Sequence, residues 1–66
     1  MTVAKVIELT AASPKSIEDA VEQGIKRADA TLDQIESAWL KDIKAVVKNG
    51  KIVEWRVNMK VTFLVS

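Results

Sequence analysis

An α+β fold with the element order β-α-β-β is what the sequence predicts, and three observations carry the prediction. From Val53 to Phe63 every odd position is apolar, and from Glu54 to Thr62 every even one is polar. Such period-two alternation belongs to one long strand with a buried face and a wet one. Between Ile17 and Ile35 apolar residues recur at spacings of three and four, the stripe of an amphipathic helix. Asn49-Gly50 separates two strand-like runs, and that dipeptide is the strongest short hairpin signal.

The first strand is read at Met1 to Thr10, "MTVAKVIELT", from its imperfect alternation and its β-branched residues. In "AASPKS", Ser13 before Pro14 is one N-cap, with proline at a first helical position where its missing N–H costs nothing; Ser16, with Asp19 three residues on, is a competing capping-box-like start. From there Ile17, Ala20, Val21, Gly24, Ile25, Ala28, Leu32 and Ile35 form one stripe, opposed by Glu18, Asp19, Glu22, Gln23, Lys26, Asp29 and Asp33. The pattern predicts a helix of roughly 20 residues, in which Gly24 costs up to about 1 kcal/mol relative to alanine. Close packing against the helix accounts for a glycine there, and so does a tolerated defect.

"SAWLKDIKAVVKNGK" predicts a second strand running into the hairpin. A two-residue Asn-Gly loop sets the odd positions of the last strand opposite Val46, Lys44, Asp42 and Leu40, which brings two charges onto the apolar face. A three-residue loop with Gly50 left-handed in a G1 bulge instead aligns Val47, Ala45, Ile43 and Trp39 with Val53, Trp55, Val57 and Val61. The odd loop is the expectation, with only Lys41 out of pattern. Because the helix returns the chain, the first two strands point the same way and the last is antiparallel to both. A wholly antiparallel three-stranded sheet then has the order 2-3-1, with the longest strand central and the helix packed on one face. Glu54, Arg56, Asn58, Lys60 and Thr62 are left to meet water or other subunits.

Composition bounds the function. The 66 residues form a single domain, 1–66, and a chain this short buries only about 60% of the surface its unfolded form exposes. There is no cysteine and no histidine, so disulfides, thiolate metal sites and the commonest general base are missing, and oligomerisation is the remaining support. Net charge is +1 with the signs interspersed, which gives no footprint for nucleic acid or a membrane surface. The longest purely apolar runs are about three residues, and the N-terminus has no apolar h-region; a soluble cytoplasmic protein is the expectation. With no His, Cys or Tyr and no Gly-rich phosphate loop, nothing assembles a catalytic constellation, and the chain is read as a binding protein rather than an enzyme. The element order alone also fits a ferredoxin-like half domain acting as a dimeric interaction module.

With these elements in place, the chain resembles the dodecins, small flavin-binding proteins of the same length and element order. "KVIELTAASPKSIEDAV" looks like the family's opening strand and capped helix, "IKRADATLDQI" like its helix end, and "VNMKVTF" like its closing strand. The pattern lies on this chain without gaps from about Arg27 to Phe63. The resemblance implies a hollow homododecamer whose flavins (riboflavin, FMN or FAD) are held in pairs at two-fold interfaces between sheets. In that arrangement each flavin pair is sandwiched by tryptophans and hydrogen-bonded by a glutamine of the closing strand.

Both signature positions depart from the family's pattern. The stacking tryptophan falls on Ser37 and the glutamine on Arg56. Trp39, two residues beyond Ser37 and on the same side of an unbulged strand, is either a displaced aromatic platform or, as the hairpin register has it, a core residue under the helix. Arg56 is either a cation facing the ligand, able to pair bidentately with phosphate or carboxylate, or a partner of Glu54 or Glu36 in an ion pair. Cofactor contacts are thus assigned to Arg56, Ser37 and Trp39, with no metal ligands. The primary reading is a homo-oligomeric flavin store without turnover. Its alternative is a dodecin-like assembly that has lost flavin and holds another small ligand, a phosphorylated cofactor or a metal ion, or acts as a scaffold.

Overall fold

The computed structural model describes residues 3–65; Met1 and Thr2, at the start of the expected first strand, lie outside them. Strand β1 (Val3–Ser13), helix α1 (Ile17–Asp29), strand β2 (Ile35–Lys48) and strand β3 (Lys51–Val65) follow in that order. The three strands form one antiparallel sheet with β3 central, in the order β1-β3-β2, as the alternation of β3 and the direction of the chain require.

Of the two helix starts, the structure selects Ser16. Its hydroxyl accepts a hydrogen bond from the Asp19 N–H at 2.9 Å, which satisfies one of the donors left open at the first turn. Ser13 instead ends β1, three residues beyond the predicted boundary. It is 2% exposed, and its hydroxyl donates to Asp19 Oδ2 at 2.6 Å while accepting from the Lys15 N–H. That hydrogen bond holds the Asp19 carboxyl below its ordinary value of 3.8; desolvation opposes it, and Gln23 and Lys15 assist. A single carboxylate thus ties the end of the first strand to the first turn of the helix.

The helix is shorter than the apolar spacing predicts. It stops at Asp29, where the Thr31 and Leu32 N–H groups close on Ala28 O. The stripe continues in sequence, but Ile35 opens β2 after Gln34 has taken a positive φ of 52°. Leu32 and Ile35 therefore satisfy the helical period without being helical. The sheet, with long-range pairing available to it, wins Ile35 and leaves Leu32 in the connecting loop, since periodicity alone does not separate the outcomes. Within α1 the predicted stripe is obeyed: Ala20, Gly24 and Ala28 are buried and Ile17, Val21 and Ile25 half-buried.

Gly24 is where the helix comes closest to the sheet. A β-carbon built there would lie 3.0 Å from Ala11 Cβ, 3.0 Å from Met59 Cε and 3.3 Å from Leu9 Cδ1. The helical defect is therefore a condition of the packing. Around it Ala20, Val57, Met59 and Val61 form the fully buried core, flanked by Leu9, Ala11, Ile17, Val21, Ile25, Ile35 and Ala38. The core is small, and Val6, Ile43, Val47, Ile52 and Trp39 are all more than half exposed. A subunit that leaves so much apolar surface wet gains from association.

The hairpin corrects the predicted register. Lys48 pairs with Lys51, so the loop is the two-residue Asn49-Gly50, both at positive φ (51° and 74°) as a type I′ turn demands. The expectation of a three-residue loop fails because the sheet solves the charge problem elsewhere. One register shift lies between Val46 and Val47, and a second, between Leu40 and Asp42, leaves Lys41 out of the ladder. Ala45 and Ile43 keep their predicted partners Trp55 and Val57, but Val47 pairs with Ile52 and Trp39 with Lys60.

Candidate functional site

The sheet has one face under α1 and one open face, and pairing assigns residues to each. On the open face, β3 contributes Glu54, Arg56, Asn58, Lys60 and Thr62, opposite Val46, Lys44, Asp42, Trp39 and Ser37 of β2. From β1, Ala12, Thr10, Glu8 and Val6 stand beside Arg56, Asn58, Lys60 and Thr62. All three sequence-predicted site residues, Ser37, Trp39 and Arg56, are thus on this face. The core reading of Trp39 is overturned: its partner is a polar-face lysine and the side chain is 65% exposed.

The Lys41 bulge causes this. In a continuous ladder, Ile43 under the helix would bring Trp39 and Lys41 beneath it as well. Taking Lys41 out of the ladder inverts the segment from Leu40 back to Ser37, so that Leu40 and Ala38 pair with Met59 and Val61 while Trp39 and Ser37 turn outward; a further shift between Ser37 and Ile35 returns Ile35, opposite Phe63, to the core side. Lys41 is not idle in its new position. Its Nζ lies 5.7 Å from the centroid of the Trp39 ring, a cation–π contact.

Ser37, Trp39 and Arg56 do not converge on one point. Trp39 is in the row Glu8–Lys60–Trp39, and Ser37 is in the adjoining row with Thr62 and Val6. Arg56 is four residues along β3 from Lys60, roughly 13 Å at strand rise, in the row Ala12–Arg56–Lys44. A shallow cavity of about 480 Å³ is lined there by Thr10, Asp42, Lys44, Arg56 and Asn58 among others. Lys44 directly opposite Arg56 is a like-charge pair, an unfavourable arrangement in a sheet, and Glu54 offsets it by accepting from Arg56 Nε at 2.6 Å. Of the two readings of Arg56, the ion pair with Glu54 is the one formed. At 53% and 31% side-chain exposure such a pair contributes no more than about 1 kcal/mol, so it does not lock the guanidinium away from a stronger anionic partner. The Thr10 hydroxyl donates to Asn58 Oδ1 at 2.9 Å, fixing the amide between the two rows.

Asp42 and Lys44 are site residues that sequence reasoning misses. The signal for them lies in their β3 partners, because Asn58 and Arg56 already belong to the polar alternation. No group of three or more metal-ligating side chains gathers among the described residues, and no described helix is long and apolar enough to cross a membrane.

The dodecin family model matches residues 3–66, all but the first two residues of the chain. The chain belongs to the dodecin family. Its fold agrees throughout with solved dodecins: the dodecin from Streptomyces davaonensis is 28% identical with a TM-score of 0.92, over 98% of this chain and 96% of that one. A mutant T. thermophilus dodecin is 26% identical with a TM-score of 0.94, over 100% and 98%. A calcium dodecin from Mycobacterium tuberculosis, described as calcium chelating with a novel calcium-binding site, is 30% identical with a TM-score of 0.82, over 92% and 87%. No curated protein matches the chain in sequence. Family and fold together support a small, oligomeric, ligand-binding dodecin, and the open face, with an exposed tryptophan and flanking cations, is its candidate site.

Proposed function

We propose that this dodecin is a cytoplasmic homo-oligomer, of dodecameric size, that binds and stores flavin without turnover, and that its flavin stacks on Trp39 in place of the tryptophan missing at position 37. The observation that carries the reading is the placement of Trp39: an indole 65% exposed on the open face, in a row with Lys60 and beside Ser37. An aromatic ring left this exposed on a ligand-facing sheet offers isoalloxazine a stacking partner worth on the order of 1 kcal/mol beyond area burial. Arg56 and Lys44, further along the same face, suit the phosphate of FMN. The test is a titration with riboflavin and with FMN while flavin fluorescence is followed. Strong quenching at micromolar protein supports flavin storage, and its absence from both titrations removes it.

A second reading is favoured by the substitutions themselves. With Ser37 and Arg56 at the two positions where the family pattern has its flavin contacts, the assembly holds another small ligand, a phosphorylated cofactor or a metal ion, or serves as a scaffold. The calcium-chelating dodecin from Mycobacterium tuberculosis supports a metal ion as one such ligand. Calorimetric titration with calcium and with inorganic phosphate, run beside the flavin titrations, separates the two readings.

A further inference from the structure

Lys41 falls between Leu40, opposite Met59, and Asp42, opposite Asn58. Met59 and Asn58 are consecutive, so the strand passes Lys41 with no partner for it, and its side chain is released from the alternation that fixes every ladder residue to one face. Asp42 follows it in sequence, yet among the described residues no carboxylate comes within ion-pair distance of the Lys41 ammonium. The ammonium lies instead over the Trp39 ring, 5.7 Å from its centroid. A lysine side chain gives up much rotamer freedom to hold one place, and the negative face of the indole is what draws it there.

The ring it covers is 65% exposed, and its ladder partner Lys60 stands beside it on the open face. An exposed indole with nothing laid on it turns among its rotamers, and a planar ligand must select one of them before stacking. With Lys41 over it, one pose is favoured by about two- to fivefold, the usual strength of a cation–π contact at an exposed site. An indole has two faces. Lys41 occupies one, and among the described residues no other cation lies over the ring, so one face is left for a planar ligand.

Resting on the reading that flavin stacks on Trp39, we infer that Lys41 is a positioning residue of the site: it holds the indole outward and closes one of its faces, so that the isoalloxazine stacks on the other face alone. Lys41 acts on the ring and not on the ligand's tail. The cations that suit a phosphate, Lys44 and Arg56, are further along the face, in a different row. Loss of the Lys41 charge therefore weakens riboflavin and FMN by the same factor, whereas a direct phosphate contact at Lys41 would weaken FMN alone. One irregular residue thus does two things for the site, since its absence from the ladder turns Trp39 outward and its charge then fixes the ring.

Lys41→Gln, which keeps a polar stem without the charge, and Lys41→Arg, which keeps the cation, test this. Trp39 is one of two tryptophans, so both variants are made in a Trp55→Phe background and read first, without ligand, by acrylamide quenching of tryptophan fluorescence. In Lys41→Gln the quenching of Trp39 by acrylamide rises, the dissociation constants of riboflavin and FMN both rise about two- to fivefold, and Lys41→Arg stays at the wild-type values. Unchanged acrylamide quenching in Lys41→Gln overturns the proposal. So does a fall in that quenching, which would mean that the ring has turned inward and that Lys41 sets the register. A loss of affinity confined to FMN, or Lys41→Arg behaving as Lys41→Gln, overturns it equally. A parent protein that quenches neither flavin removes the flavin reading, and the acrylamide measurement still decides whether Lys41 holds the ring. Should Trp55→Phe not fold, 5-fluorotryptophan in the otherwise unaltered chain separates the two indoles by fluorine NMR, and the solvent-isotope shift of the Trp39 resonance takes the place of acrylamide.

Discussion

Trp39 pairs with Lys60 across the β2–β3 ladder, and one unpaired residue, Lys41, is the reason. Without that bulge the same indole would lie beneath α1. Replacing Trp39 by alanine is therefore expected to cost less than about 1 kcal/mol in unfolding free energy, as substitutions at exposed sites do, and to weaken flavin quenching while the mass in solution stays unchanged. Denaturant unfolding, the flavin titration and light scattering on the one variant check all three. A large stability loss would return Trp39 to a structural role.

Gly24→Ala should destabilise the protein, against the usual gain of about 1 kcal/mol from replacing a helical glycine. The new methyl group would meet Ala11 Cβ at 3.0 Å, and that atom is fixed to the β1 backbone, unlike the flexible Met59 Cε. Overpacking of this kind costs about 1–3 kcal/mol. Thermal unfolding of the variant reads the sign directly.

Met59 is fully buried at the centre of the core. Met59→Ala is expected to lose about 2–5 kcal/mol, a large fraction of what a domain of this size has. Urea unfolding should show a variant at the edge of folding, populated only in the assembled form.

The Ser13–Asp19 hydrogen bond gives a pH dependence whose sign is fixed. Asp19 titrates below its ordinary 3.8 in the folded chain because Ser13 donates to it, so its contribution is fully present above that value and is lost as pH falls through the lower folded value. Ser13→Ala should therefore be less stable than wild type at neutral pH, with the gap narrowing below about pH 4. Unfolding curves for both proteins between neutral pH and acid measure it, and a gap constant across that range would refute the assignment.

Gly50 turns at φ 74°, and a β-carbon added to it would have nothing within 4 Å. Gly50→Ala should cost about 1 kcal/mol through the left-handed backbone alone, seen as a small drop in melting temperature with no change in ligand titration.

Much of the fold and of the site is legible in the residues. The strict alternation of Val53 to Phe63 marks the central strand and its two faces, and the wet face is where Arg56, Asn58 and Lys60 are found. Ser16 with Asp19 marks the helix start. What the pattern conceals is where the irregularities fall. Leu32 and Ile35 obey the helical period yet belong to a loop and a strand, because long-range pairing overrides local spacing. A single register carried through the whole hairpin gives the wrong loop, although Lys41 stands out of pattern in it. With Ala38 and Leu40 as apolar residues in the other phase, a bulge at Lys41 is the remaining solution, and it moves Trp39 to the surface.

Interruptions of the ladder also bear on how such a protein changes over generations. Lys41 makes no ladder pair and is not part of the core, so gain or loss of a residue at that point leaves Ile43, Ala45 and the hairpin in place. Loss of Lys41 would make the ladder continuous, because Leu40 and Asp42 already face the consecutive residues Met59 and Asn58, and Trp39 and Ser37 would stay on the open face. Drawing Lys41 into the ladder at unchanged length is the costly event: it would turn Trp39 and Ser37 toward the helix and bring out Ala38, which packs against the core. The outward set of side chains on this half of β2 is thus tolerant of a deletion at its irregular point and sensitive to a slip in register.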